Sequence, residues 1–507
     1  MNTPAPTAPA TQTTTAPATQ TATAGAASGT LPLTAVQEAM WTAYRVAPHS
    51  ASYNIVMPLL LRGHLDPAAM AEAVTAVGDR QELLRSVFTE QDGTPVRTAA
   101  ERALVRMEFE DLDGIDEQGL RQAAEQTGAR PFHLESGAFR VVLLRRSDTE
   151  WALVTAAHHI VSDFTSRWLL VRDLLDAYAG ISTGTAPAWR PIPGSYADHT
   201  AQELRHIASE AGRRGADRWR ESVAGAPAAQ LPLDRPRPAV RSLKGATVVR
   251  VLDPATAHGL DKAADDAGVT PFAYLLGVFQ ALTHRWTGQD EFVLGVPATS
   301  RTGKAQRDVI GCFLNTMPVR AEFDATSTFR GTAALAGERV MRGMVNVRYP
   351  CALAFPQATV FRTALFLVQM DRMEPPVPNV PPGQAIGPSI TYKGLDIALV
   401  DVPQQEGQLD LLLRIEQTFD GVTAVFSYDT DLLDHTTVER FADGYERMLA
   451  AAVADPGTRI ADVELAGQDE TAALLALGST SFDGFGDFGD GAGFDEFDSF
   501  ENSWDHR

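Results

Sequence analysis

The run His158-His159-Ile160-Val161-Ser162-Asp163 places two imidazoles close to a carboxylate in the chain. A neutral imidazole is the side chain best suited to accept a proton near pH 7, because its unperturbed pKa lies near ~6.5. The run therefore predicts a site of proton transfer. An alternative is that one histidine only fills the core, and that Ser162 or Asp163 only caps a helix.

The flanking sequence places this run between a strand and a helix. On its N-terminal side the β-forming residues Trp151, Leu153 and Val154 predict a strand. On its C-terminal side apolar residues recur near a helical period as far as Tyr178. A loop at the end of a strand is a usual position for catalytic groups, because rigid elements carry them while substrate can still reach them.

The chain is long enough for two domains. It has 507 residues, whereas single hydrophobic cores stop growing at about 250–300 residues. Helical and extended patterns alternate through 31–230 and again through 231–465, which predicts two α/β lobes. The Pro-rich stretch 231–238 is typical of a connector between them.

Composition argues against several classes of function. The net charge is −21 and the sequence has no basic stripe, so nucleic acid is disfavoured as a partner. The sequence has no Gly-rich phosphate loop and no zinc-type cluster of Cys and His. It has only two cysteines, no apolar run of ~18 residues and no signal peptide. We therefore expect a cytoplasmic protein with no disulfide framework and no membrane partner.

Both ends of the chain differ from its middle. Residues 1–30 carry no charge and are rich in Ala, Thr and Pro, so we expect a disordered leader. We expect 466–507 to be disordered or to dock on a partner, because 481–507 holds eight acidic residues and one basic residue among regularly spaced Phe. We interpret Phe482 to Trp504 as a partner-binding segment. The alternative is a solubilising tail whose aromatic rings fold back on their own domain.

Seven segments in order resemble one family. The run at 158–163 fits an HHxxxDG motif in which Phe164 replaces the glycine. The other six segments are LPLTAVQEAMW (31–41), RQELLRSVF (80–88), LPLDRPRP (231–238), PATSR (297–301), IGCFLNTMPVR (310–320) and YDTDLLD (428–434). Over residues 31–465 the chain resembles the condensation domains of nonribosomal peptide synthetases, which belong to the chloramphenicol-acetyltransferase-like superfamily of enzymes that use acyl thioesters.

The resemblance implies a fold, a reaction and partners. The implied fold is a pair of chloramphenicol-acetyltransferase-like α/β sandwich lobes in a V around a central tunnel, which carrier-protein phosphopantetheine arms enter from opposite faces. The implied reaction is acyl transfer from a carrier-protein thioester to an amine, which forms an amide without ATP, a bound cofactor or a metal. We recognise no adenylation, thiolation or thioesterase domain, so we expect a free-standing enzyme that meets its carrier protein by diffusion.

The resemblance also assigns roles to individual residues. His159 matches the second histidine of the motif and is the candidate to accept the nucleophile's proton or to stabilise the tetrahedral intermediate. His158 and Asp163 complete the predicted catalytic set, although both also fit structural roles in the loop. The family pairs this aspartate with an arginine, for which Arg301 is the candidate. Asn315 and Phe164 are candidates for the tunnel wall, and Asn315 fits a satisfied core amide equally well.

Other interpretations of the same residues remain open. Cys312 fits a small buried side chain better than a nucleophile. Ester formation on a hydroxyl is an alternative within the superfamily, and a non-catalytic recruitment platform is an alternative outside it. An epimerisation domain shares the HHxxxD motif but would be expected inside a synthetase. A metal site formed by His158, His159 and Asp163 is disfavoured, because adjacent histidines rarely converge on one ion.

Overall fold

The computed structural model describes residues 28–356, 358–403, 407–418 and 421–465. The predicted tail, 466–507, and its segment from Phe482 to Trp504 lie outside the described residues, as does the leader up to residue 27. Residues 28–30 form part of a strand in which Ser28 pairs with Ala99. Of the leader predicted over residues 1–30, these last three residues are described, and they belong to this strand.

Strands and helices alternate through the described residues. The strands are β1 (Ser28–Pro32), β2 (Asn54–Arg62), β3 (Ser86–Gln91), β4 (Thr94–Ala99), β5 (Met107–Asp111), β6 (Phe139–Arg145), β7 (Glu150–His158), β8 (Gly245–Val251), β9 (Glu291–Thr299), β10 (Leu314–Glu322), β11 (Thr363–Gln369), β12 (Ile390–Tyr392), β13 (Leu395–Leu399), β14 (Leu411–Thr418) and β15 (Gly421–Asp429). The helices are α1 (Ala35–Val46), α2 (Pro67–Arg80), α3 (Glu117–Ala129), α4 (Phe164–Ile181), α5 (Tyr196–Ala208), α6 (Glu210–Val223), α7 (Pro254–Asp266), α8 (Pro271–Thr287), α9 (Phe329–Val345), α10 (Cys351–Ala354) and α11 (His435–Ala454). Within the part of the chain that the structure describes, no helix is both long enough and apolar enough to cross a membrane.

The first six-stranded sheet has the order β12-β13-β2-β7-β6-β5. Its strand pairs are antiparallel except for β5 with β6. The central strands β2 and β7 are almost continuously buried, and Leu59, Leu60 and Val154 are wholly buried. β7 ends at His158, which pairs with Asn54 of β2, so the strand end that leads into the site is held by its neighbour.

The second six-stranded sheet has the order β10-β9-β11-β14-β15-β8. β11 runs parallel to β9 and β14, and the other pairs are antiparallel. Helix α8 packs between α9, α11 and this sheet, and every residue from Ala273 to Thr283 is buried. A helix that is apolar all round requires this kind of central position.

A separate three-stranded sheet has the order β1-β4-β3.

Helix α4 begins directly after the His-His run. Asp163 is its N-cap and accepts the Ser166 N–H at 2.7 Å, which pairs one of the backbone donors that a helix start leaves without a partner. The apolar face of α4 packs on α2, with Leu170, Val171 and Leu174 buried. Each such side chain contributes ~1.5–3 kcal/mol on burial. This packing fixes the helix and therefore the loop in front of it.

Two regions cross the lobe boundary that the sequence predicts at residue 230. β12 and β13 follow this boundary in the chain, yet β13 pairs with β2 and extends the first sheet. Helix α6 precedes the boundary, yet its Trp219 Nε1 donates to Tyr349 O at 3.0 Å and its Gly215 O accepts from Asn346. The division into 31–230 and 231–465 therefore does not describe these two regions.

Candidate active site

The site run follows β7 without a break and turns sharply into α4. His159, Ile160 and Val161 form one turn of 3₁₀ helix between them. The backbone N–H of His159 donates to Tyr53 O at 2.7 Å, which ties this turn to the start of β2. The Ile160 carbonyl accepts a hydrogen bond from Gln37 Nε2 of α1 at 2.9 Å. Two other elements therefore hold the backbone on which both imidazoles stand.

The His158 side chain is part of the loop's framework. Its Nδ1 accepts the Ile160 N–H at 3.1 Å, and its ring stacks on Tyr53 with 5.9 Å between ring centroids. Burial, together with the neighbouring His159, lowers the pKa of His158 to about 3. This imidazole is neutral at pH 7 and its Nδ1 is engaged. We therefore assign His158 to the loop rather than to the predicted catalytic set.

His159 is the more accessible of the two histidines. Its side chain is partly exposed, whereas only 4% of His158 is exposed. Its Nδ1 lies 3.6 Å from the sulfur of Cys312, which belongs to the segment between β9 and β10. The structure thus brings His159 and Cys312 together although 153 residues separate them in the chain.

Asp163 is a buried carboxylate that forms hydrogen bonds and an ion pair with other protein groups. Oδ1 accepts the Ser166 N–H, and Oδ2 accepts the Phe313 N–H at 3.1 Å. Arg301 Nη2 lies 3.2 Å from Oδ1 and 3.3 Å from Oδ2. Burial raises the pKa of Asp163, but Arg301 and the hydrogen bonds from Ser166 and Phe313 outweigh it, so the net pKa is lowered. Asp163 is therefore an ionised anchor and poorly suited to carry a proton.

Arg301 links the start of helix α4 to the segment between β9 and β10. It forms the ion pair with Asp163 and donates through Nη2 to Ser166 Oγ at 2.7 Å. Its Nη1 donates to the carbonyls of Gln306 and Val309 at 2.8 Å and 2.6 Å. The guanidinium also lies 4.0 Å from the centroid of the Phe313 ring. One side chain thus fixes α4 against the whole segment 301–313.

Sequence reasoning missed Ser166 and Gly311, which complete this junction. Ser166 Oγ donates to Gly311 O at 2.7 Å and accepts the Gly311 N–H at 3.0 Å. A Cβ at position 311 would lie 2.3 Å from the Tyr196 ring, so only glycine fits this close approach. Gly311 lies in the motif segment IGCFLNT and could have been singled out there. Its partner Ser166 in α4 belongs to no motif that the sequence shows.

Asn315 is a fully engaged core amide. Its Nδ2 donates to the carbonyls of Val347 and Tyr349, both at 2.8 Å, and its Oδ1 accepts the Cys351 N–H at 3.0 Å. Both amide protons and the oxygen are therefore used to hold residues 347–351. These hydrogen bonds fit the alternative that the sequence left open for Asn315, a satisfied core amide.

Phe164 forms a contact between α4 and the second sheet. Its ring meets Phe366 of β11 edge to face, with 6.5 Å between centroids, and the guanidinium of Arg167 lies 4.0 Å from its centroid. The side chain is half-buried. The residue that replaces the motif's glycine thus fills space between the two sheets.

The donor set of the run does not fit a metal ion. Nδ1 of His158 and both oxygens of Asp163 already accept hydrogen bonds from the protein. Among the described residues, no group of three or more His, Cys, Asp or Glu is arranged to hold a metal.

Comparison with known proteins extends the resemblance over most of the chain. The family model described as "Condensation domain" matches residues 27–475. One of the linear gramicidin synthase subunits of Brevibacillus parabrevis is 28% identical over 462 residues, which is 88% of this chain and 6% of that protein. Phosphinothricin tripeptide synthetase PhsB of Streptomyces viridochromogenes is 32% identical over 438 residues, which is 84% of this chain and 36% of that protein. The chain thus spans a minor part of the length of both relatives.

Solved structures show the same architecture. The X-domain from teicoplanin biosynthesis, determined in complex with OxyB, is 25% identical with a TM-score of 0.76, and the match covers 89% of this chain and 99% of that one. The starter condensation domain of rhizomide synthetase matches in fold, with a TM-score of 0.71, 21% identity, and coverage of 87% and 100%. The two-sheet fold is therefore the chloramphenicol-acetyltransferase-like fold predicted from the sequence. Since the family model covers most of the chain, this protein belongs to the condensation domain family of nonribosomal peptide synthetases.

Proposed function

We propose that this protein transfers an acyl group from a carrier-protein phosphopantetheine thioester to an amine and so forms an amide bond. The observation that carries the proposal is the accessible His159 imidazole, held on a loop whose neighbouring carboxylate is locked by Arg301. Members of the family are acyltransferase-like condensation enzymes that work with carrier proteins. The phosphopantetheine belongs to those carrier proteins and is not a cofactor of the condensation domain.

The chemistry needs few groups because a thioester is already activated. The amine nitrogen attacks the thioester carbonyl carbon, the carbon–sulfur bond breaks, and the phosphopantetheine thiolate leaves. His159 accepts the proton that the amine loses and returns it to the departing sulfur, so that protons and electrons balance. Holding both reactants in alignment supplies roughly 7–11 kcal/mol of barrier lowering, so positioning contributes at least as much as proton transfer.

The other site residues serve this alignment. Asp163 and Arg301 hold the loop and take no part in proton transfer, since the carboxylate is buried and ionised. Phe164 narrows the space between α4 and β11, where the implied tunnel would pass, and so restricts the size of the acyl group. We also propose that the enzyme acts as a free-standing protein on a carrier protein that is a separate chain. The X-domain solved with OxyB supports the idea that this fold can bind a separate protein.

The experiment is intact-protein mass spectrometry of an acyl-loaded carrier protein. The carrier is incubated with the full chain and a panel of amines and alcohols, and loss of the acyl mass is followed together with formation of the product. We expect acyl loss that requires both the enzyme and an amine, and we expect His159→Ala to abolish most of it. Exposed His258 of α7, replaced by Ala, is the matched control and should leave turnover unchanged.

Three results would contradict the proposal. Wild-type turnover by His159→Ala would remove the imidazole from the chemistry. Product formed only with alcohols would favour the ester-forming alternative. Stable binding of the loaded carrier without any acyl loss across the panel would favour a recruitment platform.

A further inference from the structure

Residues 311–313 cross the site as three consecutively anchored residues. Gly311 is bonded in both directions to Ser166 Oγ. The Phe313 N–H donates to Asp163 Oδ2, and the carbonyl of Cys312 between them accepts the Tyr196 hydroxyl at 2.7 Å. The backbone of Cys312 is therefore fixed to both α4 and α5.

This anchoring leaves the Cys312 side chain little freedom. The residue is wholly buried, and its sulfur lies 3.6 Å from Nδ1 of His159. That separation is within the range of a sulfur hydrogen bond, which is weaker than one between nitrogen and oxygen but gains strength in a dry interior. The two ring nitrogens of an imidazole point away from each other, so a partner at Nδ1 turns Nε2 to the opposite side of the ring.

The thiol itself is unsuited to chemistry. Burial, assisted by the negative charge of Asp163, raises the pKa of Cys312 far above its ordinary value, so the sulfur stays protonated and is a poor nucleophile. A protonated thiol sulfur still accepts a hydrogen bond through its lone pairs. The group beside His159 is therefore a neutral, fixed and unreactive acceptor.

We propose that Cys312 is a positioning residue that accepts the Nδ1–H of His159 and thereby makes Nε2 the ring nitrogen that takes the proton of the acceptor amine. Only this tautomer of a neutral imidazole can take a proton at Nε2, so the sulfur would set both the rotation of the ring and its tautomer. The inference rests on the proposed role of His159 in acyl transfer. It assigns to the cysteine of IGCFLNT a function that does not require the thiol to react.

Several ionisable groups surround this contact and bear on its pH dependence. His158 precedes His159 on the loop, and Asp163 follows on the same loop. The groups that face Cys312 from other elements are Arg301 of the β9–β10 segment and Tyr196 and Glu203 of α5. Burial raises the pKa of Glu203 to about 7, so a pH profile should be compared between variants rather than taken from the wild type alone.

The test combines a spectroscopic measurement with kinetics. In ¹⁵N-histidine-labelled, substrate-free protein, the His159 ring signals are identified by their loss in His159→Gln, and we expect the Nδ1–H tautomer. Cys312→Ala should convert this signal to a mixture containing the Nε2–H form. It should also lower kcat about five- to tenfold while KM changes less than about twofold, which is the size expected for one modest hydrogen bond. Cys312→Ser retains an acceptor and should recover part of kcat.

Cys351→Ala is the matched control. Cys351 is also buried, and burial also raises its pKa, but it lies in α10. Its variant should lose comparable thermal stability and keep both the His159 signal and kcat. An unchanged His159 tautomer in Cys312→Ala, or an unchanged kcat, would overturn the inference. Full activity in His159→Ala would instead overturn the proposed function, and the tautomer measurement would still decide whether the sulfur sets the ring.

Discussion

Replacing Arg301 with Ala tests whether the ion pair with Asp163 holds the site together. The side chains of Arg301 and Asp163 are 8% and 10% exposed, so the ion pair is almost completely shielded from solvent. Removing one partner of such a pair leaves a buried charge without compensation and typically costs ~3–5 kcal/mol. Arg301→Ala also removes the donors to the carbonyls of Gln306 and Val309. We therefore expect the free energy of unfolding to fall by about 4 kcal/mol.

The assay is urea unfolding followed by tryptophan fluorescence, with an exposed ion pair as control. Arg459 and Asp462 lie 2.8 Å apart with side chains 57% and 49% exposed, so solvent screens their attraction and Arg459→Ala should cost much less than Arg301→Ala. Arg301→Lys keeps the positive charge but lacks the planar fork that reaches several acceptors, so its loss should fall between the two.

The pH dependence gives the same prediction a second check. The folded-state pKa of Asp163 is lowered, so its stabilising effect is complete above the unfolded value of about 3.9 and is lost as the pH falls toward the folded value. Without Arg301 the burial that raises the pKa of Asp163 is less opposed, so the difference between wild type and Arg301→Ala should be largest near pH 7 and shrink as the pH falls. A loss at pH 7 no larger than that of Arg459→Ala, or a difference that grows in acid, would refute the reasoning.

Three further predictions follow from the same loop and its surroundings. The pKa of His158 lies at about 3 when folded and near 6.5 when unfolded, so the unfolded chain binds more protons in between and stability falls with decreasing pH there. His158→Gln should remove up to about 1.4 kcal/mol per pH unit from that slope, measured by urea unfolding at several pH values. Asn315→Ala removes the partners of the Val347 carbonyl and the Cys351 N–H and one of two donors to Tyr349 O, and a measured loss in urea unfolding below about 1 kcal/mol would contradict the assignment as a core amide. Phe164→Gly should raise kcat/KM for carrier proteins loaded with bulky acyl groups relative to those loaded with short ones. If the ratio of the two kcat/KM values is unchanged, the ring does not limit the size of the acyl group.

Local sequence patterns were sufficient for most of the elements around the site. The strand ending at the His-His run is present as β7, and the helix predicted after it is present as α4. Asp66 caps α2 through its side chain, a role typical of an aspartate directly before a helix. Such features are predictable because burial of one face and pairing of helix-end donors act within a few residues of each other.

Long-range pairing accounts for what the sequence did not reveal. Residues 390–399 have no local property that distinguishes a strand of one sheet from a strand of the other, and the observed pairing of β13 with β2 joins parts of the chain more than 330 residues apart. Ser166 is one small polar residue among several near the start of α4, and only its approach to Gly311 shows that it bridges two segments. Neither periodicity nor residue type contains that information.

The same geometry separates groups that hold the site from groups that perform the chemistry. Asp163, Arg301 and Ser166 are engaged with one another inside the protein, so their removal should lower stability and activity together. His159 is partly exposed at the turn that these residues secure, so its removal should lower activity while costing little stability. Cys312 lies between the two sets, since its backbone belongs to the anchored segment and its sulfur contacts the imidazole. When kcat is plotted against the free energy of unfolding, the variants of Asp163, Arg301 and Ser166 should fall on one line. His159→Ala should lie below that line, with low kcat at nearly wild-type stability, and Cys312→Ala should lie between His159→Ala and the line.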